Sequence, residues 1–141
     1  MTLNEAQIIG VLAEIFGSNH RGVQVGIGDD AAVVATGKDS ITHYEVIEFY
    51  RGVSLVKVEL ETGRTHQIRV HFSALNHPLV GDTTYGADPV LAKSLEMRRP
   101  WLHAKELMFD HPITGEHLSF SAPYPADLTR SLALLSDAVL P

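Results

Sequence analysis

The chain has 141 residues, 45% hydrophobic and 20% charged, with no cysteine and a formal net charge of -6 when His is neutral. That length favours one domain able to bury roughly two-thirds of its unfolded surface, and the composition is that of a folded chain. It excludes a disulfide framework, a thiol nucleophile and a thiolate metal site; no apolar run approaches the roughly 18 residues that span a bilayer; and the acidic balance is poor for a sequence-blind nucleic-acid binder, which normally shows a basic field.

From the N-terminus, the opening Met-Thr-Leu-Asn-Glu has no basic region ahead of an apolar stretch, so a signal peptide is not expected and a cytoplasmic location is. Thr2 and Glu5 have capping-box spacing, and Ile8, Leu12 and Ile15 recur at helical intervals, which predicts a helix over Asn4 to Phe16 ended by Gly17. Val23 to Val25 and Ala31 to Ala35 read as short strands around Gly26-Ile-Gly28-Asp29-Asp30. The polar stretch Thr36 to Ser40 is the best candidate boundary, dividing a segment 1–38 from a portion 39–141.

His43 to Phe49 and Ser54 to Glu61 predict two strands joined near Arg51-Gly52; in the second, Val56, Val58 and Leu60 alternate with Lys57, Glu59 and Glu61, so one face is buried and one solvated. A helix follows over Thr65 to Leu75, with Ile68, Phe72 and Leu75 as its core stripe and the pre-proline His77 at its end. Asp88-Pro89 opens another helix running to about Arg98. Leu102 to Phe109 and Glu116 to Ala122 predict a hairpin, with Trp101 and Phe109 as core candidates, and Pro125 to Ala138 a final amphipathic helix. The fold class is α+β, a mainly antiparallel sheet with helices packed on one side.

Residues 61–86, ETGRTHQIRVHFSALNHPLVGDTTYG, are the most informative part of the chain. Read from the residues, Arg64 and Thr65 stand where a helix N-terminus offers free N–H groups to a phosphate. His66 and Arg69 are three apart and share a face. A local basic face is open to Arg64, Arg69, Arg98, Arg99 and Lys105 despite the net charge, and the eight His soften that charge in mild acid. Asp82 sits in a Gly-Asp turn, where a carboxylate that caps backbone N–H groups is the common arrangement. His66 and His71 are five apart, not the i,i+4 of a helical metal pair.

The string Gly63-Arg64-Thr65-His66-Gln67-Ile68-Arg69-x-His71, with His77-Pro78 and Gly81-Asp82 after it, resembles the late motif of the RluA/RluD family of RNA pseudouridine synthases. The resemblance extends over about residues 42–130, through Arg99 to Leu107, His111 to Glu116 and Ala122 to Leu128. It implies RNA as the partner, contacted through Arg64, Thr65, His66, Gln67 and Arg69. It also implies that Ile68 packs under the target uridine and that Arg69 pairs with the catalytic carboxylate. A guanidinium keeps such a carboxylate ionised in a dry pocket, and reaching a uridine in folded RNA requires base flipping. The family's nucleophilic Asp lies in an earlier His-Arg-Leu-Asp-type segment, which these 141 residues do not contain. The expectation is an incomplete pseudouridine-synthase-like catalytic domain, an RNA-binding relative of an rRNA-modifying isomerase without activity.

Glu14 to Phe16 with Val25 to Val33 resembles the start of thiamine-monophosphate kinase, over about residues 4–36. That resemblance implies Mg²⁺ at Asp29 and Asp30, since paired carboxylates on a tight turn suit a hydrated Mg²⁺; the bland alternative is a strand-turn-strand with two solvated Asp. The chain thus reads as a junction of two family fragments; the bland reading is preferred at Asp29 and Asp30, so no resident cofactor is expected, and the alternative readings are a Mg²⁺/ATP-binding kinase-like fragment or a folded chimera with no selected activity. An incomplete sheet leaves an open strand edge at Val56, Val58 and Leu60, so a homo-oligomer is expected.

Overall fold

The structure is a computed structural model that describes residues 8–17, 31–35 and 40–137. Six strands among the described residues form one sheet: β1 (Ile8–Gly17), β2 (Ala31–Ala35), β3 (Ile41–Tyr50), β4 (Gly52–Leu60), β5 (Leu102–Asp110) and β6 (His117–Ser121). Between β4 and β5 come α1 (Gln67–Ala74), a single 3-10 turn at Thr83–Tyr85 and α2 (Pro89–Ser94), and α3 (Ala126–Asp137) ends the described chain. The spatial order is β2-β3-β4-β1-β5-β6.

β1 overturns the helix expected over Asn4 to Phe16. It runs parallel to β4, with Leu12 opposite Leu55, and parallel to β5, with Ala13 opposite Leu102. Leu12 and Ala13 are consecutive and both fully buried, so the strand is covered on both faces at these two positions. Such a strand is apolar at successive positions and satisfies a helical stripe as easily as its own period of two. The β-branched residues Ile8, Ile9, Val11 and Ile15 are the signal that favours strand.

The sheet is therefore mixed. Three pairings are antiparallel, β2–β3, β3–β4 and β5–β6, and the two made by β1 are parallel. β4 has a partner along each edge, so the open edge expected at Val56, Val58 and Leu60 is closed by β1, and that basis for self-association is gone. The outer strands are β2 and β6.

Helices lie on both faces, not one. Val56 and Val58 pack with Ala13, Tyr44, Ile68, Phe72 and Leu79 on the α1 side. Val53 and Leu55 point the opposite way and pack with Leu12, Trp101 and Leu128 on the side of α2 and α3. Only the outer part of β4, from Lys57 onward, keeps the expected alternation of buried and half-buried residues. Trp101 is fully buried, its indole N–H donating to Ser131 Oγ at 2.6 Å, while Phe109 stacks on the half-exposed Phe120 of the β5–β6 hairpin.

The helix ends follow local chemistry. Asp88 caps α2 by accepting from the Val90 N–H at 2.8 Å, and Pro89 fills the first turn. α1 ends with Asn76 in the left-handed region and α2 with Glu96 in the same conformation, at φ 62° and 55°. In each, the next N–H reaches back five residues, His77 to Phe72 O and Met97 to Ala92 O. No helix among the described residues is long and apolar enough to cross a membrane.

If β1 is the central strand, Leu12→Ala should destabilise the fold by about 2–5 kcal/mol, the range for a buried Leu truncated in a tight core. Urea unfolding followed through Trp101 fluorescence measures it; a loss below about 0.5 kcal/mol would mean that this segment is peripheral.

Candidate functional site

The start of α1 is fixed by one buried amide. Gln67 Oε1 accepts from Thr62 Oγ1 at 2.8 Å and from the Arg64 N–H at 3.0 Å. Its Nε2 donates to Ile41 O at 3.0 Å and Thr42 Oγ1 at 2.9 Å. Thr62 Oγ1 also accepts from the Ile41 N–H at 3.0 Å. All the hydrogen-bonding capacity of the amide is used inside the protein, so Gln67 latches α1 to the start of β3. Just before it, His66 takes the N-cap position in a left-handed conformation (φ 54°) without a side-chain cap. Arg64, Thr65 and His66 are exposed on this corner.

One face of α1 docks on the turn that follows it. His66, Arg69 and Ser73 lie at i, i+3 and i+7 and contact residues 82–85. Arg69 donates from Nε and Nη2 to the two carboxylate oxygens of Asp82, each at 2.7 Å. Its guanidinium also lies over the Tyr85 ring, 4.8 Å from the centroid. His66 Nδ1 is 3.0 Å from the Tyr85 hydroxyl, and Ser73 Oγ donates to Tyr85 O at 2.9 Å. The Asp82 side chain is 1% exposed and that of Arg69 18%, so this is a bidentate, largely desolvated pair, the strong form of such contacts. The hydrogen bond to Asp82 is the main cause raising the Arg69 pKa further above its ordinary value.

The expected capping role of Asp82 is therefore corrected. Its side chain caps no backbone N–H; its backbone carbonyl accepts from Tyr85 and Ala87 N–H instead, both at 3.1 Å. The carboxylate is left for Arg69. Gly81 permits this turn: its φ is +83°, and a Cβ there would fall 2.2 Å from Arg99 O.

The other predicted residues are placed as follows. Ile68 is buried in the core beneath α1, with Phe72 and Val58. Gln67 faces inward, as described. Asp29 and Asp30, with the Val23 to Val25 strand, lie outside the described residues. The five cations expected on one basic face divide: Arg64 and Arg69 are at α1, Arg98 is exposed after α2, Arg99 is held by Asp127 at the start of α3 and Lys105 lies over the Tyr124 ring, 4.4 Å from its centroid. Tyr124 belongs to the opposite core, on the α3 side. Tyr85, which joins His66 to Arg69, had a signal in the sequence, since residues 66, 69 and 73 share a helix face that needs a partner.

His71 is 1% exposed, its Nε2 3.2 Å from Ser40 Oγ and its Nδ1 without a partner. Burial lowers its pKa below the ordinary 6.5, so the folded protein keeps this ring neutral where the unfolded chain takes up a proton. The unfolded state then binds more protons, and stability falls as pH drops through about 6.5. His71→Phe should flatten the acid side of the stability–pH curve between pH 6.5 and 5. Urea midpoints across pH measure this, and an unchanged slope in the variant would contradict it.

The chain is similar to known proteins over much of its length. Residues 28–74 match the family model described as RNA pseudouridylate synthase. Over 104 residues the chain is 54% identical to an uncharacterized RNA pseudouridine synthase of Mycobacterium bovis, covering 74% of this chain and 34% of that protein. It is 47% identical over 119 residues to the ribosomal large subunit pseudouridine synthase D of Vibrio cholerae, covering 77% and 37%. An uncharacterized RNA pseudouridine synthase of Bacillus subtilis is 46% identical over 98 residues, covering 70% and 31%. The chain thus spans about a third of the length of the curated relatives it matches. These likenesses support the RNA pseudouridine synthase family for the part of the chain they cover. They give no support to the thiamine-monophosphate kinase resemblance, and the family match begins at Gly28, inside that segment.

Proposed function

We propose that this chain is a pseudouridine-synthase-like RNA-binding portion that does not isomerise uridine by itself. Its RNA is ribosomal, by analogy with the synthase D relatives, and its place of action is the cytoplasm, where such RNA is found. RNA meets the exposed corner of Arg64, Thr65 and His66, at the start of α1. There a cation and a helix N-terminus stand together, which suits one or two phosphates. Arg69 supports the corner from behind through Tyr85.

The observation that carries the lack of turnover is the Arg69–Asp82 pair. A nucleophilic carboxylate must present a free lone pair to the base. Asp82 is the carboxylate beside Arg69, yet its side chain is only 1% exposed, so no base can reach the lone pairs that the guanidinium leaves. The 141 residues hold no His-Arg-Leu-Asp-type segment to supply another.

The expected outcome is no tritium release from 5-labelled uridine in ribosomal RNA, with salt-sensitive binding of the same RNA by fluorescence anisotropy. Arg64→Ala should weaken that binding and lower its log–log salt slope by roughly 0.7, the value for one phosphate contact on a single strand. Turnover that vanishes in Asp82→Asn would show Asp82 to be a working nucleophile, and binding indifferent to salt and to Arg64→Ala would remove the RNA-surface reading.

A further inference from the structure

On the far side of the Gly81–Asp82 turn from Arg69 lies an open depression of about 940 Å³, at the upper end of the size range of ligand sites. Gly81 and Thr83 form one wall, α2 and the segment after it a second, and the start of α3 a third. Five charged side chains line it: Lys93, Glu96, Arg98, Asp127 and Arg130. The two carboxylates are already engaged. Asp127 accepts both guanidinium bonds of Arg99, at 2.8 and 3.0 Å, and Glu96 is 3.1 Å from Arg130. Arg99 is the main cause holding the Asp127 carboxyl below its usual range, so it stays ionised and paired.

Lys93 and Arg98 remain. Both are exposed, and neither side chain has an ion pair or hydrogen bond among the described residues. An acidic protein therefore carries a concave surface whose uncompensated charges are both positive, and a low-dielectric wall around such charges concentrates their field.

Glu96 adds a second observation. It occupies the left-handed position that ends α2, where Gly or Asn is the usual residue and a longer side chain is strained. The strained backbone turns the chain at Glu96 so that Lys93 and Arg98, on either side of it, face the same depression. The Glu96 carboxylate meanwhile restrains Arg130.

We propose that this depression is a second phosphodiester-binding site for single-stranded RNA, with Lys93 and Arg98 as its contacts and Arg130 as a third cation held in reserve by Glu96. The inference rests on the RNA-binding reading above and extends it. Gly81 and Thr83 line the depression while Asp82 between them holds Arg69, so one turn links the depression to the helix that begins at the Arg64 corner.

The test measures anisotropy of a fluorescent uridine-containing oligoribonucleotide across salt concentrations, for the unmodified chain, Lys93→Glu with Arg98→Glu, Glu96→Gly and Arg64→Ala. The double reversal should weaken binding and lower the salt slope by roughly 1.4, about 0.7 for each lost contact. Glu96→Gly should tighten binding severalfold, because it removes a carboxylate, releases Arg130 and relaxes the backbone; a misfolded variant cannot produce that gain. If the double reversal binds with an unchanged slope while Arg64→Ala weakens binding, the depression is not a site and the RNA reading stands. If the unmodified chain binds no RNA, both are overturned. Loss of affinity in Glu96→Gly also overturns the proposal.

Discussion

The buried pair between Arg69 and Asp82 fastens together parts of the molecule that share no strand. Two plugs stand just before the Gly81–Asp82 turn: Leu79 fills the core beneath α1, and Val80 fills the core beneath α2 and α3. Val80 O in turn accepts from the Trp101 N–H at 2.7 Å, and Trp101 O accepts from the Ala13 N–H at 3.1 Å. Holding Asp82 against α1 therefore positions a segment that reaches both cores and the central strand. Desolvating two charges is costly unless their geometry is good. Here the two guanidinium bonds are parallel and short, and Tyr85 covers the cation. The same bonds that stabilise the turn hold the buried carboxylate in place, so Asp82 serves as an anchor.

β1 is the corresponding constraint at the level of the sheet. β2, β3 and β4 form one antiparallel piece and β5 and β6 another, and β1 is the strand that pairs with both. Its presence gives the part of the chain that resembles the synthases a partner for β4 and a continuous floor under α1. It also places Ala13 in the same cluster as Ile68, so the residue expected to lie beneath a base is packed into the protein interior.

Much of this was legible in the residues. The strands and turns from Ile41 onward, the cap at Asp88, the stop at His77 and the buried Trp101 all follow from local rules whose causes act over a few residues. The helix expected to reach about Arg98 ends at Ser94 because Glu96 takes the left-handed position, and the larger failures share another origin, tertiary pairing. The run Ile8 to Gly17 lacks alternation, the strand is covered on both faces at Leu12 and Ala13, and no local period distinguishes that case from a helix. Asp82 read as a cap because turn statistics describe neighbours in sequence, whereas its partner Arg69 comes from the previous helix. Gln67 read as a polar contact for RNA because its exposure depends on Ile41 and Thr42 arriving from another strand. Arg64, Thr65 and His66 lie on one exposed corner, since the turn between Gly63 and Gln67 is local.

The claim that Arg69 is committed to Asp82 is tested most directly by a double-mutant cycle of Arg69→Ala and Asp82→Asn, read by urea unfolding. A bidentate pair in this setting should show a coupling energy of about 2 kcal/mol, with the second substitution adding little once the first is made. Additive effects, with coupling within about 0.5 kcal/mol of zero, would mean that the two side chains do not hold one another and that the Asp82 carboxylate is free for other work.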